Sequence, residues 1–463
     1  MKHYILDALK QYNEAGSCSY HMPGHKKGLH FPQILKDAWG DTFATYDATE
    51  IPGLDNLHDA KECIMQSQEQ AAKIYGAKSC HYLVNGTSGG LIAAILANCY
   101  RQKVFVPRHC HTSILHGLIL AQADIIYLPI VLDPASQLPL GVSYDTLKHA
   151  LEEHPDCHVL IMVNPTYQGI TWQNEHCLSL ALARNLTVLV DEAHGAHLHF
   201  HPQLPASLLD KGAHLVVQSW HKMLPTLTQT SALLTHSTYN GCDLAPYLAM
   251  TETSSPSYPF LCALEACSVE MHQHGYAQID ASLTQIHALH AYVQQLKTLQ
   301  ILTDSSWKQD PFKIYLISTV LSGTLLAEKL MHQFSLFVEM SDSNGCLLLL
   351  PLNFTADARQ ALCDILLQID QSCFHLPLRE ITPAFYTQTI PQQALSLHEA
   401  FFCEKIMLPL KDCAGKIAGE FIKLYPPGIP LVMMGERISQ EAITLWQANG
   451  GSLDDKIAII PER

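Results

Sequence analysis

Between residues 80 and 235, short apolar runs alternate with helical stretches, and this pattern constrains the fold of the 463-residue chain more than any other feature. The apolar runs fall at 79–84, 104–106, 125–128, 159–163, 186–190 and 214–218, and they are rich in β-branched residues. Stretches with helical spacing lie between them, at 144–151 and 177–183 for example. Near-continuous apolar strands separated by helices are the mark of βαβ units. They predict an α/β fold with a mostly parallel central sheet and helices on both faces. Region 241–300 reads as helical. From about residue 300, short strands (313–317, 347–350) alternate with helices (324–333, 356–370), which predicts a smaller α+β domain. The expected organisation is an N-terminal segment over 1–60, a large domain over 61–300, a small α+β domain over 301–375 and a C-terminal domain over 376–463.

Composition narrows the function classes. Hydrophobic residues make up 48% and charged residues 15%, which describes a globular chain rather than a disordered one. Lysine and arginine number 28 against 43 acidic residues, a net charge of −15, which argues against nucleic acid as the main partner. The N-terminus has neither an apolar signal core nor an Arg-rich transit pattern, and no run reaches the ~18 apolar residues of a membrane span. The 15 cysteines are odd in number and contain no CxxC pair, so the expectation is a reduced, cytoplasmic protein.

The carboxyl ends of the predicted strands hold the chemistry. In open α/β sheets, ligands bind in the crevice outside those ends. The run 186–190 ends at Asp191-Glu192-Ala193-His194, and the run 214–218 ends at Ser219-Trp220-His221-Lys222, placing a lysine 31 residues after an aspartate. That pairing suits a pyridoxal 5'-phosphate enzyme: Lys222 forms the Schiff base, and Asp191 keeps the pyridine nitrogen protonated so that the ring acts as an electron sink. The strand at 79–84 runs into Asn85-Gly86-Thr87-Ser88-Gly89-Gly90 and then a helix of small residues. Strand, hydroxyl-bearing glycine loop and helix N-terminus form a phosphate cradle, although a plain turn with a capped helix has the same lettering. Ser219 adds a phosphate contact, His111 can stack on the pyridine face, and Ala193 is small enough for the ring to lie against.

Three other chemistries share some of this lettering. Asp-Glu-Ala-His also occurs in helicase-type ATPases, but no Gly-Lys-Ser/Thr loop precedes it. His197, His199 and His201 alternate as on a strand, and His109 and His111 form a second such pair. Zinc would need a distant carboxylate or cysteine set, which the sequence does not supply, so no metal is expected. A Ser-His-Asp hydrolase would carry GxSxG, which is missing.

Taken together, HMPGHKKG, ATEIPGLDNLH, VNGTSGG, RHCHTSI, VNPTYQGI, VDEAHGAHLHF, SWHKMLPTLTQTS, TSSPSYP and YPPGIPLVMMGE resemble, in order, the blocks of the bacterial Orn/Lys/Arg decarboxylases of PLP fold type I. The likeness runs over nearly the whole chain. It implies a large PLP-binding domain over 61–300 and a decarboxylase C-terminal domain over 376–463. Lys222 is then the Schiff-base lysine, Asp191 the pyridinium partner and His111 the stacking residue. Asn85, Gly86, Thr87, Ser88, Ser219 and His221 hold the phosphate, and His194 lies near the phenolic oxygen. Thr253, Ser254 and Glu436 would line the substrate entrance, from a neighbouring subunit of a homodimer or larger homo-oligomer. The activity implied is decarboxylation of a basic L-amino acid, with arginine favoured over lysine and ornithine, giving a polyamine or polyamine precursor. An aminotransferase or lyase acting on another amino acid is the alternative, and a non-catalytic regulator is a third.

Two departures from the family pattern stand out. Trp220 occupies a position where a small hydroxyl residue is more usual, so a reshaped phosphate pocket is expected. The chain begins almost at HMPGHKKG, as in the shorter branch without an N-terminal receiver-like domain, which puts the ring assembly of the large members in doubt. Glu50, Asp47, Asp55 and Glu436 are the candidate carboxylates for the far end of the substrate, and the proline-rich segment over 425–430 is expected to be an extended turn that covers another part of the protein.

Overall fold

The computed structural model describes residues 1–16, 18–380, 390–423 and 430–462. The chain forms two compact units, each assembled from separated stretches. Met1–Ala97, Val190–His201 and Ala206–Tyr276 make the first, and Asn98–Leu189, Pro202–Pro205 and Ala277–Arg463 the second.

In the first unit, strand Ser79–Leu83 pairs antiparallel with Ser231–Thr235, which pairs antiparallel with Leu215–Gln218. The register sets Leu83 opposite Ser231 and Val217 opposite Leu233. All four residues of Leu215–Gln218 are buried, as a strand covered on both faces must be. Helix Tyr4–Glu14 buries Ile5 and Leu9. Its first amides would be orphaned, but those of Ile5 and Leu6 donate to the Glu265 carboxylate at 3.0–3.1 Å. Helix Cys63–Ile74 is started in the same way, with Asp55 accepting from the N–H groups of Lys61, Glu62, Ile64 and Met65.

In the second unit, Lys103–Pro107 runs parallel to both Asp124–Leu128 and Val159–Val163. Helices Thr112–Ala121, Tyr144–Glu153 and Asn174–Ala183 are the crossovers. Leu299–Ile301, Lys313–Ser318, Gly345–Leu349 and Met340–Ser341 form an antiparallel sheet, accompanied by helices Gly323–Phe334 and Ala356–Cys373. Ile406–Pro409, Lys456–Ile460 and Ile417–Ala418 form a three-stranded sheet over Leu431, Val432, Ile438, Ile443 and Trp446.

The expected α/β class, with a mostly parallel central sheet and helices, is what the chain adopts. The antiparallel strands of the first unit were not foreseen, because a buried strand has the same apolar lettering in either direction. One expectation is corrected. His197–His201 is not a strand: Leu198–Phe200 is a 3₁₀ turn, so the three imidazoles do not share a face. His199 instead bridges Asp210 (3.0 Å) and the Ile74 carbonyl (2.9 Å). The turn over 425–430 lies, apart from Pro430, outside the described residues.

Candidate active site

Strand Thr187–Asp191 ends in two adjacent carboxylates with different surroundings. Glu192 is fully buried and saturated: it accepts from Leu208 N (2.9 Å), Ser207 Oγ (2.7 Å) and Gln218 Nε2 (2.7 Å). A buried carboxylate is tolerable only with such partners, so Glu192 is a scaffold residue. Asp191, also buried, accepts from the N–H of Ala193 at 3.1 Å. This turn bends the chain sharply after the strand. The Glu192 N–H donates to the Val217 carbonyl at 2.9 Å, so the chain leaving Asp191 runs beside the strand that leads to Lys222.

That strand ends at Gln218, and Ser219 immediately precedes the short helix Trp220–Met223. Lys222 is exposed, and its Nζ lies 3.2 Å from His194 Nε2. His221 turns its Nδ1 to the Thr230 carbonyl (2.8 Å), and burial lowers its pKa. Trp220 requires a correction. Its indole does not reshape the phosphate pocket; it is fully buried in the core, stacked on Tyr75 at 5.2 Å with Nε1 donating to Gln218 Oε1.

Helix Gly86–Cys99 begins where strand Ser79–Leu83 ends. Gly86 makes the turn with φ +74°, a conformation that favours glycine. Thr87 Oγ1 is 2.5 Å from Ser219 Oγ and 3.1 Å from Ser231 Oγ, while Ser88 is exposed. Hydroxyls from three chain segments thus meet at a helix N-terminus, where the dipole and the first backbone N–H groups favour an anion. Ser231 was missed from sequence; its only signal was a serine at the end of a quoted block. Asn85 is committed elsewhere, donating from Nδ2 to the Thr251 carbonyl at 2.9 Å.

The first unit therefore brings together Asn85, Gly86, Thr87, Ser88, Asp191, Ala193, His194, Ser219, His221 and Lys222. Thr253 and Ser254 follow helix Ala245–Thr251, with His58 Nε2 held 2.7 Å from the Thr253 carbonyl. Among the carboxylates considered for substrate, Asp47 meets His25 Nε2 at 3.1 Å and Glu50 accepts from Thr49 Oγ1 at 2.6 Å. Asp55 is a correction: burial raises its pKa, but the backbone amides it caps outweigh that effect and hold it below the ordinary value. It is a helix-starting residue with no lone pair to spare for a substrate.

His111 and Glu436 belong to the second unit. His111 is exposed and caps helix Thr112–Ala121, its Nδ1 accepting from Ser113 N at 3.2 Å. Glu436 is fully buried, and this corrects its placement at an entrance. Its carboxylate is paired with both terminal nitrogens of Arg108 and accepts from Met433 N at 2.8 Å. His109 is buried, and desolvation pulls its pKa down to about 4, so it differs in kind from His111 two residues on. Among the described residues, no group of three or more His, Cys, Asp or Glu side chains is arranged to hold a metal ion.

The donor set of the first unit fits pyridoxal phosphate. Hydroxyls stand at a helix N-terminus for the phosphate, a buried acid for the ring nitrogen, and an exposed lysine for the carbonyl carbon. Fold and site together define the class of PLP-dependent α/β enzymes. Comparison with known proteins gives the particular family. The model of the Orn/Lys/Arg decarboxylase major domain matches residues 4–340, and that of its C-terminal domain matches 380–447. An arginine decarboxylase of Bacillus anthracis is 30% identical over 455 residues, covering 96% of this chain and 92% of the relative. An uncharacterised Bacillus subtilis protein, YaaO, is 33% identical over 459 residues, with 95% and 92% covered. The Francisella novicida lysine decarboxylase LdcF has the same fold, with TM-score 0.83 at 18% identity over 99% of this chain and 81% of that one. The chain belongs to the Orn/Lys/Arg decarboxylase family, a PLP-dependent family of amino-acid decarboxylases.

Proposed function

We propose that the protein decarboxylates L-arginine, with lysine and ornithine as poorer substrates, and so supplies a polyamine precursor. The observation that carries this reading is the 30% identity to an arginine decarboxylase across nearly the whole of both chains. Catalysis is assigned to the cluster in the first unit. When bound, pyridoxal phosphate supplies the sink for the electron pair of the breaking Cα–carboxylate bond. Asp191 holds a proton on the ring nitrogen. Thr87, Ser88 and Ser219 hold the phosphate, and Ala193 supports the ring. Lys222 would hold the cofactor's carbonyl carbon through its amine when no substrate is bound. The Cα–carboxylate bond breaks, CO2 leaves, and a proton is delivered to Cα by Lys222, with His194 Nε2 at 3.2 Å to recharge its amine. His111 is assigned to ring stacking.

The working form in this reading is a cytoplasmic homo-oligomer, with Thr253 and Ser254 close to a neighbouring subunit's substrate. The odd cysteine count supports a reducing compartment. No helix among the described residues is long and apolar enough to cross a membrane. Purified protein loaded with PLP and offered the three basic amino acids tests the reading. CO2 release fastest from arginine supports it, whereas keto-acid formation without CO2 overturns it.

A further inference from the structure

Glu252 directly follows helix Ala245–Thr251 and is 7% exposed. Its Oε2 accepts from the N–H groups of Val84 (2.7 Å) and Asn85 (2.9 Å), the last two residues before helix Gly86–Cys99. The Asn85 side chain returns a hydrogen bond to the Thr251 carbonyl. Segment 251–252 thus grips the start of the phosphate loop at three points. The other oxygen, Oε1, is buried and has no hydrogen-bond partner among the described residues. A Cβ on Gly89 would lie 2.6 Å from it, so the glycine is what lets the carboxyl approach the first turn of that helix.

Among the described residues, burial and the two backbone amides set the charge state of this carboxyl, with no cationic side chain contributing. Besides Glu252, the titratable groups that line the same cleft are His58, Glu69, Lys78, Cys80, His81 and Tyr82, and burial raises the pKa of Cys80 and Tyr82 so that both stay neutral. His58 Nε2 is engaged with the Thr253 carbonyl, Lys78 Nζ with the Tyr239 carbonyl (2.8 Å), and His81 Nε2 with Ser79 Oγ (3.2 Å). Burial pushes the Glu252 carboxyl up to about 7, even against its two backbone amides. A phosphate arriving at the same helix N-terminus is a second anion at one positive end, and like charge favours the protonated acid further. Protonation at Oε1 leaves Oε2 free to keep both amides, so the grip on the loop survives the loss of charge.

We propose that Glu252 is a positioning residue for the phosphate loop, and that it takes up a proton when the cofactor phosphate settles at the start of helix Gly86–Cys99. The proposal rests on the assignment of Gly86–Ser88 and Ser219 as the phosphate site. By linkage, a neutral replacement should outbind the native protein only where the native carboxyl is charged.

Apo protein, E252Q and E252A are titrated at pH 6 and pH 8 with pyridoxal phosphate, and with pyridoxal, which lacks the phosphate. Absorbance reads the affinity. At pH 8 E252Q is expected to bind pyridoxal phosphate about tenfold tighter than native protein, the span that one proton uptake can supply. At pH 6 the two should match, and pyridoxal should not distinguish them at either pH. E252A, which loses the grip, should bind pyridoxal phosphate more weakly at both. Calorimetry at pH 8 in buffers of different ionisation enthalpy should show proton uptake by native protein that E252Q lacks. An affinity ratio that is the same at both pH values, or equal proton counts, overturns the proposal while leaving the cofactor site intact. Failure of native protein to bind either compound overturns both.

Discussion

Lys222 Nζ and His194 Nε2 stand 3.2 Å apart, the amine exposed and the imidazole 7% exposed. The pair joins the ends of two chain segments: the turn after Asp191 delivers the imidazole, and the short helix that follows Ser219 delivers the amine. If His194 recharges Lys222, His194→Gln should keep the cofactor's visible absorbance and lower kcat by ~10²–10⁴-fold with less change in KM. The limb of the pH–kcat profile that reports the imidazole should vanish with it. An unchanged kcat would remove His194 from the proton path.

Asp191 and Glu192 make contrasting predictions. Asp191 accepts from the Ala193 amide, and its charge is assigned to the ring nitrogen. Asp191→Asn should fold, bind pyridoxal phosphate and lose ~10²–10³-fold in kcat, the scale of one missing electrostatic stabiliser. Glu192→Ala should instead abolish soluble expression, because it strands the Ser207, Leu208 and Gln218 donors in the core. Soluble yield and the visible spectrum of each variant check the contrast.

Arg108 and Glu436 form a buried pair whose value is conditional. Arg108 also donates to the Leu431 carbonyl at 3.0 Å. Burial raises the Glu436 pKa, and Arg108 and Met433 pull it back only in part. Arg108→Met should cost ~3–5 kcal/mol in denaturant unfolding, because it leaves the acid buried and uncompensated; adding Glu436→Met should recover much of that. A double variant no more stable than the single would contradict the pairing.

Much of the fold was legible in the lettering. The runs at 159–163, 187–190 and 214–218 became strands because each is apolar enough to be buried on both faces, and Gly86 and Ser219 sit where strands stop. The site was legible where chemistry and strand ends coincide, as at Asp191 and Lys222. Side-chain direction was not. Trp220 reads like a neighbour of the phosphate until the short helix turns its indole onto Tyr75. Glu436 and Asp55 read as acids for a substrate, and only the partners that fill their lone pairs show otherwise. Glu252 carried no signal, since its role depends on backbone amides 168 and 167 residues earlier.

His199 sets a pH dependence. Burial pulls its pKa down, but the hydrogen bond and charge of Asp210 outweigh that and leave it raised. A raised pKa means that the stabilisation is complete below the ordinary histidine value and is lost as pH rises through the folded-state value. Asp210→Asn should therefore lower stability at pH 6 by about 1 kcal/mol or less, since the pair is partly exposed, and by nearly nothing at pH 9. Thermal unfolding at the two pH values checks it; equal losses at both would contradict the sign.

The most direct test of the central claim is CO2 release from carboxyl-labelled L-arginine by the PLP-loaded protein and by Lys222→Ala. The assignment predicts stoichiometric CO2 and amine from the native protein, with arginine turned over faster than lysine or ornithine. It predicts a loss of ~10²–10⁴-fold in Lys222→Ala from the missing proton donor alone. CO2 release unaffected by Lys222→Ala, or an amino group transferred with no CO2, would contradict it.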